Sequence, residues 1–305
     1  MRTDRIAILL ATYNGEKYLK EQLDSIIKQS CNYWELFVHD DGSTDSTCVI
    51  LQSYLERYPD RIHIIEGPAT GSAKNNFFFL MNSVDAPYVM FSDQDDIWHP
   101  NKIEKTFAEM QSTEQELDSD VPILVFSELR VVDENLNTIC PTLSEYQKLD
   151  CSRTSLNKLL LQNVVTGCTV MINRSLLNFA RTSDTDGIIM HDWWCALIAS
   201  KFGVLSFFEE PLIDYRQHQG NSIGALNVNS PEYVKSRLSH GDKIKKDLLD
   251  TRTQAARLAQ SFDDELANEY SNLESKSKLS RWVFYAKSDM WKNGFARNLA
   301  LLMFE

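Results

Sequence analysis

Between residues 6 and 112 the chain alternates short apolar runs with longer amphipathic stretches, and this alternation limits the fold more than any other feature. Ile6-Ala7-Ile8-Leu9-Leu10-Ala11 is apolar without a break, the pattern of a parallel strand buried on both faces. Glu16 to Gln29 follows, with Leu19, Leu23, Ile26 and Ile27 at helical spacing. Trp34 to His39 reads as a second strand, and Ser43 to Tyr58 as a helix with Val49, Ile50 and Leu51 on its apolar side. Ile62 to Ile65 is a third strand, Ala73 to Ser83 a helix, and Tyr88 to Ser92 a fourth strand. Pro100 suits the first turn of another helix, running to about Gln111. Residues 1–112 therefore read as an α/β unit with a mainly parallel sheet.

Such sheets bind ligands in the crevice beyond the carboxyl ends of their strands. The polar residues that stand out fall at those ends: Thr12-Tyr13-Asn14, Asp40-Asp41 and Asp93-Gln94-Asp95-Asp96. The coincidence points to a nucleotide or phosphate site. The last segment delivers three carboxylates to one point, which is unfavourable unless a cation or strong donor sits among them. Mg²⁺ or Mn²⁺ fits, being bound by hard oxygen ligands and a bridging phosphate. The plainer alternative is a solvated acidic turn in which Asp96 caps the next helix.

The second half is less regular. Thr113 to Asp120 is acidic and reads as a surface connection. Ile123 to Phe126, Leu129 to Val132, Gly167 to Ile172 and Val204 to Phe208 look like strands, and Met190 to Lys201 like a helix. From Pro231 onward the chain reads as mostly helical. No run of about 18 apolar residues suggests a membrane span, and the charged start leading straight into a strand is not that of a signal peptide. Six scattered cysteines read as reduced cytosolic thiols. A net charge of −12 argues against nucleic acid as a partner. The stretch 276–305 is the exception, at +4, and it also holds Trp282, Phe284, Tyr285, Trp291, Phe295 and Phe304. Basic plus aromatic suits a helix on an anionic membrane surface, and equally a helix packing its aromatic face on the core.

Taken in order, Ala11-Thr12-Tyr13-Asn14-Gly15, His39 to Asp45, Ser92 to Asp96 and His191-Asp192-Trp193-Trp194 resemble the family 2 glycosyltransferases with a GT-A fold, over roughly residues 5–220. Ser92 to Trp98, Thr166-Gly167-Cys168, Ile189 to Trp193, Tyr215-Arg216-Gln217-His218 and Lys292 to Asn298 are similar to bacterial polysaccharide rhamnosyltransferases. The resemblance implies a Rossmann-like sheet flanked by helices over 1–225, a nucleotide-binding half at 1–112, an acceptor and catalytic half at 113–225, and a helical extension at 226–305. It implies that Asp41 hydrogen-bonds the imide N–H of uracil or thymine, or else shapes its turn with Asp40. Thr12, Tyr13 and Asn14 would line the nucleotide pocket, with Ser72, Lys74 and Asn75 offering base or phosphate contacts, though Lys74 suits a plain surface lysine as well. Asp93-Gln94-Asp95 matches the family's D-x-D motif: Asp95 would ligate the metal, Asp93 would face the ribose or the metal's water shell, and His218 would complete the site. Asp192 matches the catalytic base of inverting members, and also suits a helix cap. Trp98, Trp193 and Trp194 could stack on sugars, with at least one structural; Gly167 would allow close backbone approach.

The expected activity is metal-dependent, inverting transfer of a hexose to a hydroxyl of a growing, lipid-linked cell-surface glycan, in the cytoplasm or at the inner membrane face. dTDP-L-rhamnose is the donor that the resemblance implies. A UDP-sugar donor, a non-catalytic assembly partner and a nucleotidyltransferase are the alternatives. The last lacks its Gly-rich basic loop after the first strand, where Thr12 to Glu16 stand.

Overall fold

The computed structural model describes residues 5–117, 120–218 and 241–305. The expected boundary at 225, the start of the helical stretch at Pro231, and 118–119 of the expected surface connection lie outside the described residues.

Among the described residues nine strands form one sheet: β1 Ile6–Thr12, β2 Trp34–Asp40, β3 Ile62–Ile64, β4 Tyr88–Ser92, β5 Ile97–Trp98, β6 Ile123–Val132, β7 Thr138–Cys140, β8 Val170–Asn173 and β9 Val204–Arg216. The order is β3-β2-β1-β4-β8-β6-β9-β5, with β7 on β6. Strands β1 to β4 pair in parallel, as expected. Beyond them β8 runs antiparallel to both β4 and β6, and β9 returns parallel to β6, so the second half is mixed.

The unbroken apolar runs follow from burial on two sides. Ile6, Ile8 and Leu10 enter one core, while Ala7 and Leu9 enter the other. Helices α1 Leu19–Ile27, α2 Thr47–Arg57 and α4 Lys102–Gln115 cover the first face. Helices α3 Ala73–Ser83, α7 Arg174–Ala180 and α8 His191–Phe202 cover the second. Short helices α5 Leu143–Gln147 and α6 Leu156–Leu159 lie between β7 and β8 in sequence. Helices α9 Gly241–Phe262, α10 Glu265–Ser271, α11 Lys278–Lys287 and α12 Phe295–Phe304 extend the second core through Leu248, Leu258, Tyr270, Tyr285 and Leu301. Among the described residues no helix is long and apolar enough to cross a membrane.

Several elements differ from their expected limits. Helix α4 runs on to Gln115, tied to the sheet where Tyr88 donates to Glu114 at 2.8 Å, so the expected connection begins inside it. The two strands expected at 123–126 and 129–132 are one, β6, kept continuous by a register irregularity against β9 near Ser127 and Glu128. Gly167 opens a 3-10 turn, not a strand; Thr169 N and Oγ1 both donate to Thr166 O and tighten it. Strand β9 continues past Phe208 through exposed Glu209-Glu210 to Arg216, eight residues further than expected. That length carries the chain across to β5 and the end of β4, where Asp93 begins.

Candidate active site

The turn after β1 is held by polar side chains. Asn14 takes a left-handed conformation, φ 47°, which asparagine tolerates better than most residues. Its amide N–H donates to Ser43 Oγ at 2.7 Å, and its Oδ1 accepts from Thr44 N at 2.8 Å. Thr12 Oγ1 donates to Asp40 Oδ2 at 2.8 Å. Asp40 also accepts from Ser43 N at 2.7 Å and Ser43 Oγ at 2.7 Å. Burial alone would raise the Asp40 carboxyl, but these bonds hold it below the usual range. Asp40 is thus committed to its own turn. Gln94 makes a twin bond to the Tyr13 backbone, its Nε2 donating to Tyr13 O and its Oε1 accepting from Tyr13 N, both at 2.9 Å. A Cβ at Gly15 would sit 2.4 Å from Gln94 Oε1, so only glycine admits this staple. The Tyr13 ring is exposed.

Asp41 is buried at the mouth of the sheet. Its Oδ1 accepts from Thr70 N, from Thr70 Oγ1 at 2.8 Å and from Gly71 N at 3.1 Å. Its Oδ2 makes none of these bonds. Lys74 and Asn75, on the first turn of α3, reach across to the segment before α8. Lys74 Nζ donates to Thr185 O at 3.1 Å and Ile188 O at 2.9 Å, and Asn75 Oδ1 accepts from Thr185 Oγ1 at 2.7 Å. Asn75 Nδ2 donates to Thr70 O, which ties both residues to the loop around Asp41. Ser72 caps α3, accepting from Asn75 N.

The carboxylates after β4 take different surroundings. Asp95 Oδ2 lies 2.8 Å from His218 Nε2. Asp93 is half-buried, and its carboxyl is pushed up to about 7 by burial, then by Asp95 and Asp192. Asp96 is fully buried; its Oδ1 accepts from Arg216 N at 3.2 Å, while its Oδ2 has no partner. Burial first, then Asp95 and Asp93, raises Asp96 well above the carboxylate range. The Cys168 thiol beside it is likewise raised, by burial first and then by Asp96 and Asp93.

One ligand atom each from Asp93, Asp96 and Cys168 falls within 4.8 Å of the others. Asp96 and Cys168 are sealed from solvent and favour their protonated forms, which suits a proton-sharing pair better than a cation site. Asp93, Asp95 and His218 offer carboxylate and imidazole donors that are partly open, and the repulsion raising Asp93 is what a cation would relieve. Their donor types suit a hard divalent ion, although among the described residues these three ligand atoms are not drawn within 4.8 Å of one another.

Arg216, the last residue of β9, positions this loop. It is buried, donating through Nε to Asp95 O at 2.9 Å and through its terminal nitrogens to Glu134 O at 2.8 Å and Glu21 Oε2 at 2.5 Å. The sequence motif names Arg216 but does not announce this positioning role, which depends on partners at Glu21, Asp95 and Glu134. Lys102 is the other unforeseen residue: fully buried, over the Trp98 ring at 3.9 Å, with no hydrogen bond to its Nζ. Burial pushes it down to about 7, opposed by Cys168 and Asp96.

Asp192 stands in the first turn of α8 and is buried. Its Oδ1 accepts from Trp193 N at 2.7 Å, and Asn163 Nδ2 approaches its Oδ2 at 3.5 Å. Burial pushes its carboxyl up to about 6, against backbone hydrogen bonds from Trp193, its own amide and Gly167. His191 beside it is a packing residue, stacked on Phe77 at 3.9 Å and kept neutral because burial pushes it down to about 3. A Cβ on Gly167 would stand 3.0 Å from His191 Nε2, which explains the glycine. Of the tryptophans, Trp98 and Trp194 are core residues, whereas Trp193 is half-buried and donates to Leu159 O at 2.6 Å.

Comparison with known proteins shows the family and the fold. The family model described as Glycosyl transferase family 2 matches residues 7–179. A dTDP-rhamnosyl transferase of Shigella flexneri, RfbG, is 30% identical over 78% of this chain and 82% of its own length. The Escherichia coli enzyme WfgD, a UDP-Glc:α-D-GlcNAc-diphosphoundecaprenol β-1,3-glucosyltransferase, is 29% identical over 57% of this chain and 62% of its own. Among solved structures, a Pyrobaculum calidifontis mannosyltransferase in complex with GDP-Man and Mn²⁺ superimposes with a TM-score of 0.52 over 95% of this chain and 86% of that one, at 17% identity. Staphylococcus aureus TarS with UDP gives 0.51 over 93% and 78%, also at 17% identity. Those two likenesses are of fold. The chain belongs to glycosyl transferase family 2, and it is a glycosyltransferase of GT-A fold.

Proposed function

We propose that this enzyme transfers L-rhamnose from dTDP-L-rhamnose, with inversion, to a hydroxyl of a growing, lipid-linked cell-surface glycan at the inner face of the cell membrane. The observation that carries the reading is electrostatic. Asp93 is raised first by burial and then by both Asp95 and Asp192, which supports a shared neighbourhood for the diphosphate-side carboxylates and the general base. The similarity to RfbG over most of both chains supports the donor. The similarity to WfgD, whose acceptor is a diphosphoundecaprenol glycan, supports the lipid link.

In this reading residues 1–112 hold the donor, 113–225 carry the base and receive the acceptor, and 226–305 form the helical extension. Asp41 accepts the imide N–H of the base at Oδ2, the oxygen its loop leaves free. Thr12, Asn14 and Asp40 fix the strand ends around the nucleotide, and Gln94 locks the Tyr13 backbone at the rim. Lys74 and Asn75 contribute by tying that pocket to the segment that leads into α8. Asp95, Asp93 and His218 would hold Mn²⁺ or Mg²⁺, which would supply counter-charge for the departing diphosphate. Asp192 removes the acceptor proton at Oδ2, with Trp193 N–H fixing the other oxygen. One base and one displacement give inversion. A UDP-sugar donor is the second reading, favoured by WfgD and by an Asp41 contact that treats uracil and thymine alike.

The test is thermal stabilisation by dTDP-rhamnose, UDP-galactose, UDP-glucose and UDP-N-acetylglucosamine, each with Mn²⁺ and with EDTA, since a ligand that binds only the folded state must raise its stability. The largest shift is expected with dTDP-rhamnose and Mn²⁺, collapsing in EDTA. A larger shift with a UDP-sugar replaces the donor; no shift with any donor favours a non-catalytic assembly partner.

A further inference from the structure

The tail helices bury one side and leave the other bare. On α11, Leu279, Trp282, Val283 and Ala286 recur at i, i+3, i+4 and i+7, and all are exposed, Leu279 to 69%. Tyr285, about 110° round the helix from this stripe, is fully buried. On α12, Phe295, Leu299 and Met303 recur at i, i+4 and i+8, with Phe295 exposed to 83%, while Ala300 and Leu301 are buried. Core packing explains Tyr285 and Leu301 but not these outward stripes. The two helices adjoin, because Lys278 Nζ at the head of α11 donates to Met303 O near the end of α12 at 3.1 Å.

Charge is sorted by the same fold. Neither helix contains an acidic residue. The two acidic residues of 276–305 have partners elsewhere: Asp289 pairs with Lys158 at 2.7 Å, and Glu305 is buried against Arg252 and Tyr285. Arg297 turns inward to Gln147 O and Lys148 O. Lys276, Lys278 and Lys287 stay exposed. At 100° per residue, Lys278 and Lys287 fall roughly 90° to either side of the α11 stripe.

We propose that the outward faces of α11 and α12 form one docking surface for an anionic lipid bilayer. The stripes enter the headgroup boundary, and the flanking lysines reach anionic headgroups. A protein partner covering the stripes would have to bury lysines beside them, whereas a bilayer lets the ammonium groups stay at the polar layer. The overall charge of −12 would repel such a surface, so attraction depends on the local sorting. The surface deepens the proposed use of a lipid-linked acceptor: it would hold the site where that acceptor lies.

The full chain is sedimented with phosphatidylcholine vesicles containing about a third phosphatidylglycerol, and with phosphatidylcholine alone. The wild type is expected to bind the anionic vesicles and to leave the neutral ones largely unbound. The double variant Leu279→Ser/Phe295→Ser should bind about ten-fold more weakly. Lys276→Glu/Lys287→Glu should bind more weakly too, and lose most of the salt dependence. Donor-induced thermal stabilisation, measured on the same samples, should be equal in all three proteins. That readout confirms folding, and it separates failure of the surface from failure of the donor reading. Wild type that stays in the supernatant, or a Leu279→Ser/Phe295→Ser variant that sediments like wild type, overturns the proposal. So does a wild-type dimer that this variant dissociates, which would assign the face to a second copy of the chain.

Discussion

Asp192 shows how one carboxylate takes its character from its surroundings. Burial favours its neutral form, and three backbone N–H groups restrain that tendency, leaving it near pH 6. A base must be deprotonated to accept, so transfer is expected to fall as pH drops through about 6 and to level off above it. Asp192→Asn should lower transfer by about 10²–10⁴-fold while donor-induced stabilisation stays at the wild-type level. Initial rates across pH, beside melts of the variant, check both points, and substantial transfer by Asp192→Asn would remove it as the base. The residue was legible through its motif. The Gly167 amide and Asn163, which help set its acidity, were not, because they lie 25 and 29 positions away in segments whose folding no local pattern announces. Lys102 is the harder case: in sequence it is one more charged residue in an amphipathic helix, and only the fold puts it wholly inside.

At the scale of elements, the first four strands were readable because β1 and β4 are buried on both faces and all four are short apolar runs bounded by turn residues. Strand β9 was not. Its apolar run is broken by Glu209-Glu210-Pro211, which a periodicity argument takes as an end, whereas in the sheet they sit where the register against β6 shifts. Reading it short left out the stretch of strand that delivers Arg216, and His218 was reached only through its motif. Its start depends on Gly203, where an added Cβ would stand 1.8 Å from the Pro122 carbonyl oxygen. Backbone is on the other side of that contact, so nothing can swing away. Gly203→Ala is expected to cost about 2–3 kcal/mol of stability, seen as a lower midpoint in urea at unchanged m-value. A wild-type midpoint would mean that the turn yields more easily than the packing implies.

For the whole molecule, the tail is both a core element and a surface. Glu305 closes the inner side: its carboxylate accepts from Arg252 and from Tyr285 at 2.5 Å in a fully enclosed cluster with Tyr270. Removing one partner of a buried ion pair strands the other. Glu305→Ala should therefore destabilise the protein by about 3–5 kcal/mol, far more than the exposed-stripe substitutions, and a thermal melt of each separates the two sides of the tail. Composition had announced a basic, aromatic segment. It could not apportion those aromatics between core and solvent, because that depends on which side of each helix meets α9 and α10.

The contact between Asp95 and His218 joins positions 123 apart in the chain. A cation seated there would act as a clasp on the path of the backbone. Closing so long a loop removes freedom from the unfolded chain, and the cost of closure grows only with the logarithm of its length. Loss of the ion should then loosen the late-arriving strand β9 before the parallel strands β1 to β4, which pair among themselves. Amide hydrogen exchange would register this as faster exchange along Leu212–Arg216 in EDTA than in Mn²⁺, with β1 unchanged. Equal exchange in both buffers would mean that the clasp bears no share of the fold, and that the metal answers to the donor alone.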